Sequence, residues 1–193
     1  DAGTPGLSDP GALLVSEAHR AGIRVSPVPG PSAAAAAFSA SGFAADRFLF
    51  AGFLPSAPAA RRKALEGLEL PFPVVFYEAP HRIADTLRDL LHAFGGEREL
   101  VIARELTKKF EEVARLRLAE AAAWLAAQPH REQGEFVLVL APGTEPKAHE
   151  KDAERILEAL LDVLGPSEAA RLAARITGLP KRTLYRKALE RSK

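Results

Sequence analysis

The chain has 193 residues, 47% of them apolar and 26% charged, with a net charge of +1, an ordinary globular composition sufficient for one large or two small cores. Cysteine is absent, which excludes disulfides, thiolate metal sites and a cysteine nucleophile, and the longest apolar runs fall far short of the roughly 20 residues needed to cross a bilayer. The charge is unevenly placed: from Pro166 onward eight cations face two carboxylates, a +6 tail that leaves −5 for the remainder and suggests a polyanionic partner for the tail.

The opening stretch, Asp1 to Gly11, is a glycine and proline loop with two carboxylates, of the kind that presents main-chain N–H groups to a polar small molecule. It also reads as plain punctuation before a helix, and its spacing matches neither the dinucleotide fingerprint nor the P-loop. A chain that starts at Asp1 and contains no Met is expected to be the C-terminal part of something longer. Asp9-Pro10 reads as cap and first position of a helix carrying Leu13, Leu14 and Ala18, which ends at Ala21-Gly22. Ile23 to Val28 reads as a short strand, and Pro31-Ser32 starts an alanine-rich helix that ends at Ser41-Gly42.

Phe48 to Phe53 has strand character, and Pro58 opens a basic helix. Pro73 to Tyr77 is a buried strand running into Glu78-Ala-Pro-His81-Arg82, where Glu78 and Pro80 can also be simple helix-capping residues. Ile83, Leu87, Leu90, Leu91 and Phe94 mark an amphipathic helix closed by Gly95-Gly96. Leu100 to Ala103 is a strand followed by the charged run Arg104 to Lys109, Leu118 to Ala127 a helix, and Glu135 to Leu140 a last strand. Strands alternating with helices give an α/β fold with some parallel pairing. Thr144 to His149 is the best linker. Three helices are expected beyond it, near Ala153 to Leu164, Ser167 to Thr177 and Pro180 to Arg191, the last pair with the outline of a helix-turn-helix.

No Ser/His/Asp set declares itself among five scattered histidines, Glu111-Glu112 reads as a solvated face, and His81 has no second histidine at metal-ligand spacing, so no metal is expected. Asn is absent and Gln occurs only at 128 and 133, a depletion of thermolabile side chains expected of a heat-adapted protein. The absence of cysteine fits a cytoplasmic setting.

Seven motifs, Asp1-Ala-Gly-Thr-Pro-Gly-Leu-Ser-Asp-Pro-Gly11, Val28-Pro-Gly-Pro-Ser32, Ser41-Gly42, Gly52-Phe-Leu-Pro55, Phe76-Tyr-Glu-Ala-Pro-His-Arg82, Ala103-Arg-Glu-Leu-Thr-Lys108 and Gly134-Glu-Phe-Val-Leu-Val139, together resemble the bacterial 16S rRNA (cytidine-2′-O)-methyltransferase family, in the class III, tetrapyrrole-methylase-like group. The resemblance covers essentially the whole chain, and Ala114-Arg-Leu-Arg117 departs from it where the family usually has Arg-Gly-Thr-Leu. It implies a two-domain α/β tetrapyrrole-methylase-like fold, its N-terminal domain truncated here to residues 1–44. A second α/β domain over 45–145 and a basic, RNA-binding helical segment over 146–193 follow.

The resemblance further implies S-adenosyl-L-methionine as cofactor, 2′-O-methylation of a cytidine in 16S rRNA of the small ribosomal subunit, a homodimer, and no membrane or metal. It assigns Asp1, Ala2, Gly3, Ser8, Asp9, Pro31, Ser32, Ala33, Tyr77, Glu78, Ala79 and Leu106 to the cofactor. His81, Arg82, Arg104 and Lys108 fall to the RNA side, with Lys181, Arg182 and Arg186 of the tail. A general base is expected but no residue is assigned to it. Two other readings stand beside this one: a methylase of the same fold acting on a tetrapyrrole or a translation factor, against which the basic tail argues, and a ligand-responsive helix-turn-helix DNA-binding regulator.

Overall fold

The computed structural model describes residues 3–143 and 147–191, with side chains detailed for 3–143 and 153–189. Backbone contacts divide the chain into two compact units, residues 1–143 and 144–193.

In the first unit, five strands form one sheet in the order β1-β2-β5-β3-β4: β1 Leu49–Phe53, β2 Val74–Glu78, β3 Glu99–Arg104, β4 Glu112–Arg117 and β5 Phe136–Leu140. Only β1 and β2 pair in parallel; β5 runs antiparallel to both β2 and β3, and β3 antiparallel to β4. Side chains alternate across such a sheet, so Val74, Phe76, Leu100, Ile102, Leu138 and Leu140 fall on one face and Val75, Val101, Ala103, Val137 and Val139 on the other. The first set packs under α3 Pro58–Glu66, α4 Ile83–Phe94 and α5 Leu118–Ala126, through Leu65, Ile83, Leu87, Leu90, Leu118 and Leu125. The second set packs under α2 Ala33–Ser41 through Ala34 and Ala37, whose small side chains let the helix lie close.

Local chemistry explains these elements. Ser32 caps α2 by accepting the N–H of Ala35, and Gly42 ends it in the left-handed conformation at φ 69°. Glu120 accepts the N–H of Arg117 at 2.9 Å to start α5. The α3 and α4 helices are joined by a buried ion pair, Arg61 Nε to Asp89 Oδ2 at 2.7 Å. β4, which the sequence reading did not anticipate, alternates outward Val113, Arg115 and Arg117 with partly buried Glu112, Ala114 and Leu116, so the departing motif 114–117 is an edge strand with its open side charged. Arg115 reaches across to the carbonyls of Ser41 and Gly42, at 3.3 and 3.2 Å, and stacks on Phe43.

Two expectations are corrected. The first helix, α1 Ala12–Arg20, is capped by Gly11 instead of Asp9, buries no residue, and leaves Leu13 and Leu14 each 76% exposed. Ile23 to Val28 forms no regular element and has no ladder partner among the described residues, and a strand is a strand only when paired.

The second unit is three helices, α6 Lys147–Leu161, α7 Pro166–Thr177 and α8 Lys181–Arg191, around a small core of Ala153, Leu157, Ala169, Ala170, Ala173, Leu184 and Ala188. Gly178, at φ 73°, closes α7 and begins the turn into α8. Alanines at the α7 contact permit this tight crossing. Of the expected linker Thr144 to His149, residues 144–146 lie outside the described residues, while Lys147 to His149 belong to α6, which therefore starts earlier than the expected Ala153.

Candidate functional site

At the C-terminal end of the parallel pair β1 and β2 there is a cavity of about 480 Å³, within the range of small-molecule sites. Its walls come from five separate stretches: the loop 3–9, the start of α2, Phe53 at the end of β1, residues 77–80 at the end of β2, and residues 135–137 at the start of β5. Antiparallel β5 brings its first residues to the same edge where the parallel strands end, because Glu78 faces Phe136 in the ladder.

The two glycine and proline loops are tied to one another. Thr4 Oγ1 donates to the carbonyls of Gly30 and Pro31, at 3.2 and 3.3 Å, and a Cβ on Gly30 would come within 3.3 Å of the Gly3 carbonyl oxygen. Ser8, held at φ 56°, sits over the irregularity in β1, where a Cβ on Gly52 would lie 3.8 Å from its hydroxyl. The aromatic wall is Phe53 set edge-on to Tyr77, ring centres 5.7 Å apart. The Tyr77 hydroxyl accepts the N–H of Ala34 at 3.2 Å, which joins the wall to the first turn of α2.

Glu78 is 2% exposed yet fully engaged: Oε1 accepts the N–H of Ala79 at 2.8 Å, Oε2 accepts the Thr86 hydroxyl at 2.6 Å, and Arg82 Nε lies 3.2 Å away. The capping reading holds for Pro80, which opens the short 3-10 turn 80–82, but is corrected for Glu78: neither that turn nor α4 receives a side-chain cap, and the carboxylate binds the non-helical Ala79 N–H and the Thr86 hydroxyl instead. On the opposite rim Lys108 bridges two carboxylates, Glu105 and Glu135, each at 2.9 Å, while Glu105 also accepts the Glu135 N–H at 2.9 Å. The ammonium of Lys108 and that N–H hold the Glu105 carboxyl below the ordinary glutamate range, and the two carboxylates raise Lys108 above its own. Glu105 and Thr107 both take positive φ, 50° and 66°, in this tight turn.

Of the residues singled out in sequence for the cofactor, Gly3, Ser8, Asp9, Pro31, Ser32, Ala33, Tyr77, Glu78 and Ala79 line this cavity together. Leu106 does not; it packs against the α2-side core. Asp1 and Ala2 lie outside the described residues. Thr4, Leu7, Phe53, Pro80, Glu135, Phe136 and Val137 also line it and were not anticipated. Their only sequence signal was membership of the quoted motifs: Thr4 and Leu7 in the opening loop, Phe53 in Gly52–Pro55, Pro80 in Phe76–Arg82, and Glu135, Phe136 and Val137 in Gly134–Val139.

The expected RNA-side group divides. His81 is exposed, but Arg82 donates to the Leu54 carbonyl at 2.6 Å and pairs with Glu78. Arg104 is 4% exposed and donates to the carbonyls of Gln133 and Phe110 at 2.6 and 3.1 Å. Both guanidiniums hold main-chain carbonyls, Arg104 from a buried position and Arg82 from a partly exposed one. Lys108 is committed to its two glutamates. Lys181, Arg182 and Arg186 are all exposed on α8.

No group of three or more His, Asp or Glu that could hold a metal ion occurs among the described residues, and no helix there is long and apolar enough to cross a membrane.

The family profile described as Tetrapyrrole (Corrin/Porphyrin) Methylases matches residues 1–122, and that described as RsmI C-terminal HTH domain matches 147–192. Ribosomal RNA small subunit methyltransferase I of Pseudomonas aeruginosa is 48% identical over 195 residues, covering 99% of this chain and 69% of its own length. The protein of the same name from Xylella fastidiosa is 50% identical, covering 96% of this chain and 68% of its own. Among solved structures, the methyltransferase CobJ is similar with a TM-score of 0.53 at 20% identity, over 74% of this chain and 62% of that one, which bears on the fold alone.

Proposed function

Because this chain belongs to the tetrapyrrole methylase family of methyltransferases, we propose that it methylates the ribose 2′-hydroxyl of a cytidine in the 16S rRNA of the small ribosomal subunit, using S-adenosyl-L-methionine in the bacterial cytoplasm as a homodimer. The observation that carries this reading is the joint match: the same relatives, named for the small-subunit rRNA, align through both the unit that holds the cavity and the basic helical unit.

The cavity's chemistry fits the cofactor. The first turn of α2 offers main-chain N–H groups at Ser32 and Ala33, suited to a carboxylate, while Asp9 and Glu135 present anionic oxygens suited to an ammonium and to ribose hydroxyls. Phe53 and Tyr77 supply apolar faces for an adenine. When bound, the cofactor supplies a methyl group on a positively charged sulfur, an already activated leaving group. The contribution of the chain's own residues is then alignment and exclusion of water, and well-oriented reactions gain on the order of 7 to 11 kcal/mol from such positioning. Thr4, Ser32 and Tyr77 fix the loops, and the Glu105, Lys108 and Glu135 cluster fixes the opposite rim, so the walls are set by bonds already made.

Radiolabelled methyl transfer to small ribosomal subunits, followed by mapping of the modified nucleotide, tests the reading. Label in a ribose 2′-methoxy group of a 16S cytidine is the expected result; label in protein or in a tetrapyrrole with none in rRNA would overturn it.

A further inference from the structure

One face of α8 combines charge with an aromatic ring in a way that phosphate binding alone does not require. Lys181, Arg182, Tyr185, Arg186 and Leu189 are all exposed, while Leu184 and Ala188 are buried in the core of the second unit. At about 100° per residue these five positions span one continuous side of the helix, adjoining the buried pair along the Lys181 edge. Tyr185 is 39% exposed, with Lys181 and Leu189 one turn away on either side and Arg182 and Arg186 beside it. Lys187, by contrast, turns back to pair with Glu154 of α6 and belongs to the scaffold of this unit.

A helix that reads only the phosphates of a duplex needs cations and small polar groups on its outward side, and a half-exposed tyrosine flanked by an exposed leucine adds nothing to that contact. An aromatic ring framed by cations is what single-stranded nucleic acid uses: the cations follow the backbone and a base stacks on the ring. We propose that this face of α8 binds unpaired ribonucleotides, with Tyr185 as a stacking platform for a base and Lys181, Arg182 and Arg186 as the phosphate contacts. The inference rests on the reading that the basic unit engages rRNA, and it adds the state of that RNA: a loop or an opened strand, not a continuous duplex. The contact is tolerant of sequence, because every base has a face that stacks. A stacked, splayed-out strand is also the form in which a ribose 2′-hydroxyl is accessible to a methylating site.

The test is fluorescence anisotropy of the full chain with an unstructured 12-nucleotide RNA and with an RNA duplex of equal length, at several salt concentrations. Tyr185→Ala should weaken single-strand binding about tenfold, at the lower end of what loss of one base stack costs. The salt dependence should stay unchanged, and Tyr185→Phe should bind as the parent does. Replacing Lys181, Arg182 and Arg186 by Ala should weaken binding and flatten the salt dependence. The inference fails if Tyr185→Ala leaves single-strand affinity intact, if Tyr185→Phe loses as much as Tyr185→Ala, or if the parent prefers the duplex. If the triple charge variant is also silent, the RNA reading of the whole unit fails with it. Circular dichroism of each variant shows whether the helices remain formed, and Tyr185→Leu, which keeps an apolar side chain without a ring, should still lose affinity.

Discussion

The hydroxyl of Tyr77 accepts the main-chain N–H of Ala34 at 3.2 Å, so the end of β2 and the first turn of α2 are joined beside the cavity. Removing that oxygen in Tyr77→Phe keeps the ring's contacts with Phe50 and Phe53 and leaves one helix N–H without its partner. The expected cost is about 1 kcal/mol, or a fall of roughly 2–4 °C in Tm, measured by thermal denaturation. Cofactor affinity, measured by calorimetry, should fall in parallel; an unchanged affinity would separate this bond from the site.

Gly134 lies against Glu105. A Cβ at Gly134 would approach Cγ of Glu105 to 2.5 Å, and the glycine itself sits at φ 91°. Gly134→Ala should therefore destabilise by about 1–3 kcal/mol through strain and displacement of Glu105. The double variant Gly134→Ala with Glu105→Ala should recover part of that loss, since the clash is relieved while the backbone strain persists. Denaturant titration of the four proteins in the cycle gives the coupling, and strict additivity would rule out the clash.

Glu78 holds together the end of β2, the start of α4 and, through Arg82, the end of β1. Glu78→Ala leaves Arg82 without its carboxylate and Thr86 without an acceptor. A loss of about 3–5 kcal/mol is expected, since breaking one side of a buried ion pair strands the other. Thr86→Val should cost much less, on the order of 1 kcal/mol.

Acid sensitivity follows from two carboxylates. Hydrogen bonding to Lys108, and to the Glu135 N–H, lowers Glu105; hydrogen bonding to Arg115 lowers Glu99. A carboxylate whose folded-state pKa lies below its unfolded value stabilises the fold at neutral pH. That stabilisation disappears as pH falls from the ordinary glutamate value, about 4.3, through the lower folded-state values. Glu105→Gln should reduce the slope of stability against pH in that acidic window and leave the slope between pH 6 and 8 unchanged. Lys108 behaves in the opposite sense: its raised pKa adds stability that is lost only as pH climbs above the ordinary lysine range.

Much of this arrangement was legible in sequence because the responsible residues act locally. Ser32 and Gly42 mark both ends of α2, Gly95 ends α4, and the apolar spacing of Ile83, Leu87 and Leu90 reports the buried face of that helix. What was not legible depends on partners distant in the chain. Ile23 to Val28 has the composition of a strand, but composition does not supply a neighbour. β4 was hidden because Glu111-Glu112 read as a solvated face, whereas Glu112 is partly buried and only Val113, Arg115 and Arg117 point outward from this edge strand. Arg82 and Arg104 looked like free cations, and only the approach of Leu54, Gln133 and Phe110 reveals that they hold main-chain carbonyls. Glu135, Phe136 and Val137 reach the cavity only because β5 inserts between β2 and β3, an order that no short motif encodes.

That insertion dictates a timetable for assembly. The ladder of β2 stays open on one side, and the cavity lacks its third strand wall, until the stretch around Phe136 arrives, some sixty positions after Tyr77. Closing so distant a loop is slow relative to forming the helices in between, so a nascent chain acquires the contours of the site late, after α3, α4 and α5 have emerged. Any C-terminal truncation that removes β5 therefore abolishes the receptacle, however intact the glycine loops at the front of the chain remain.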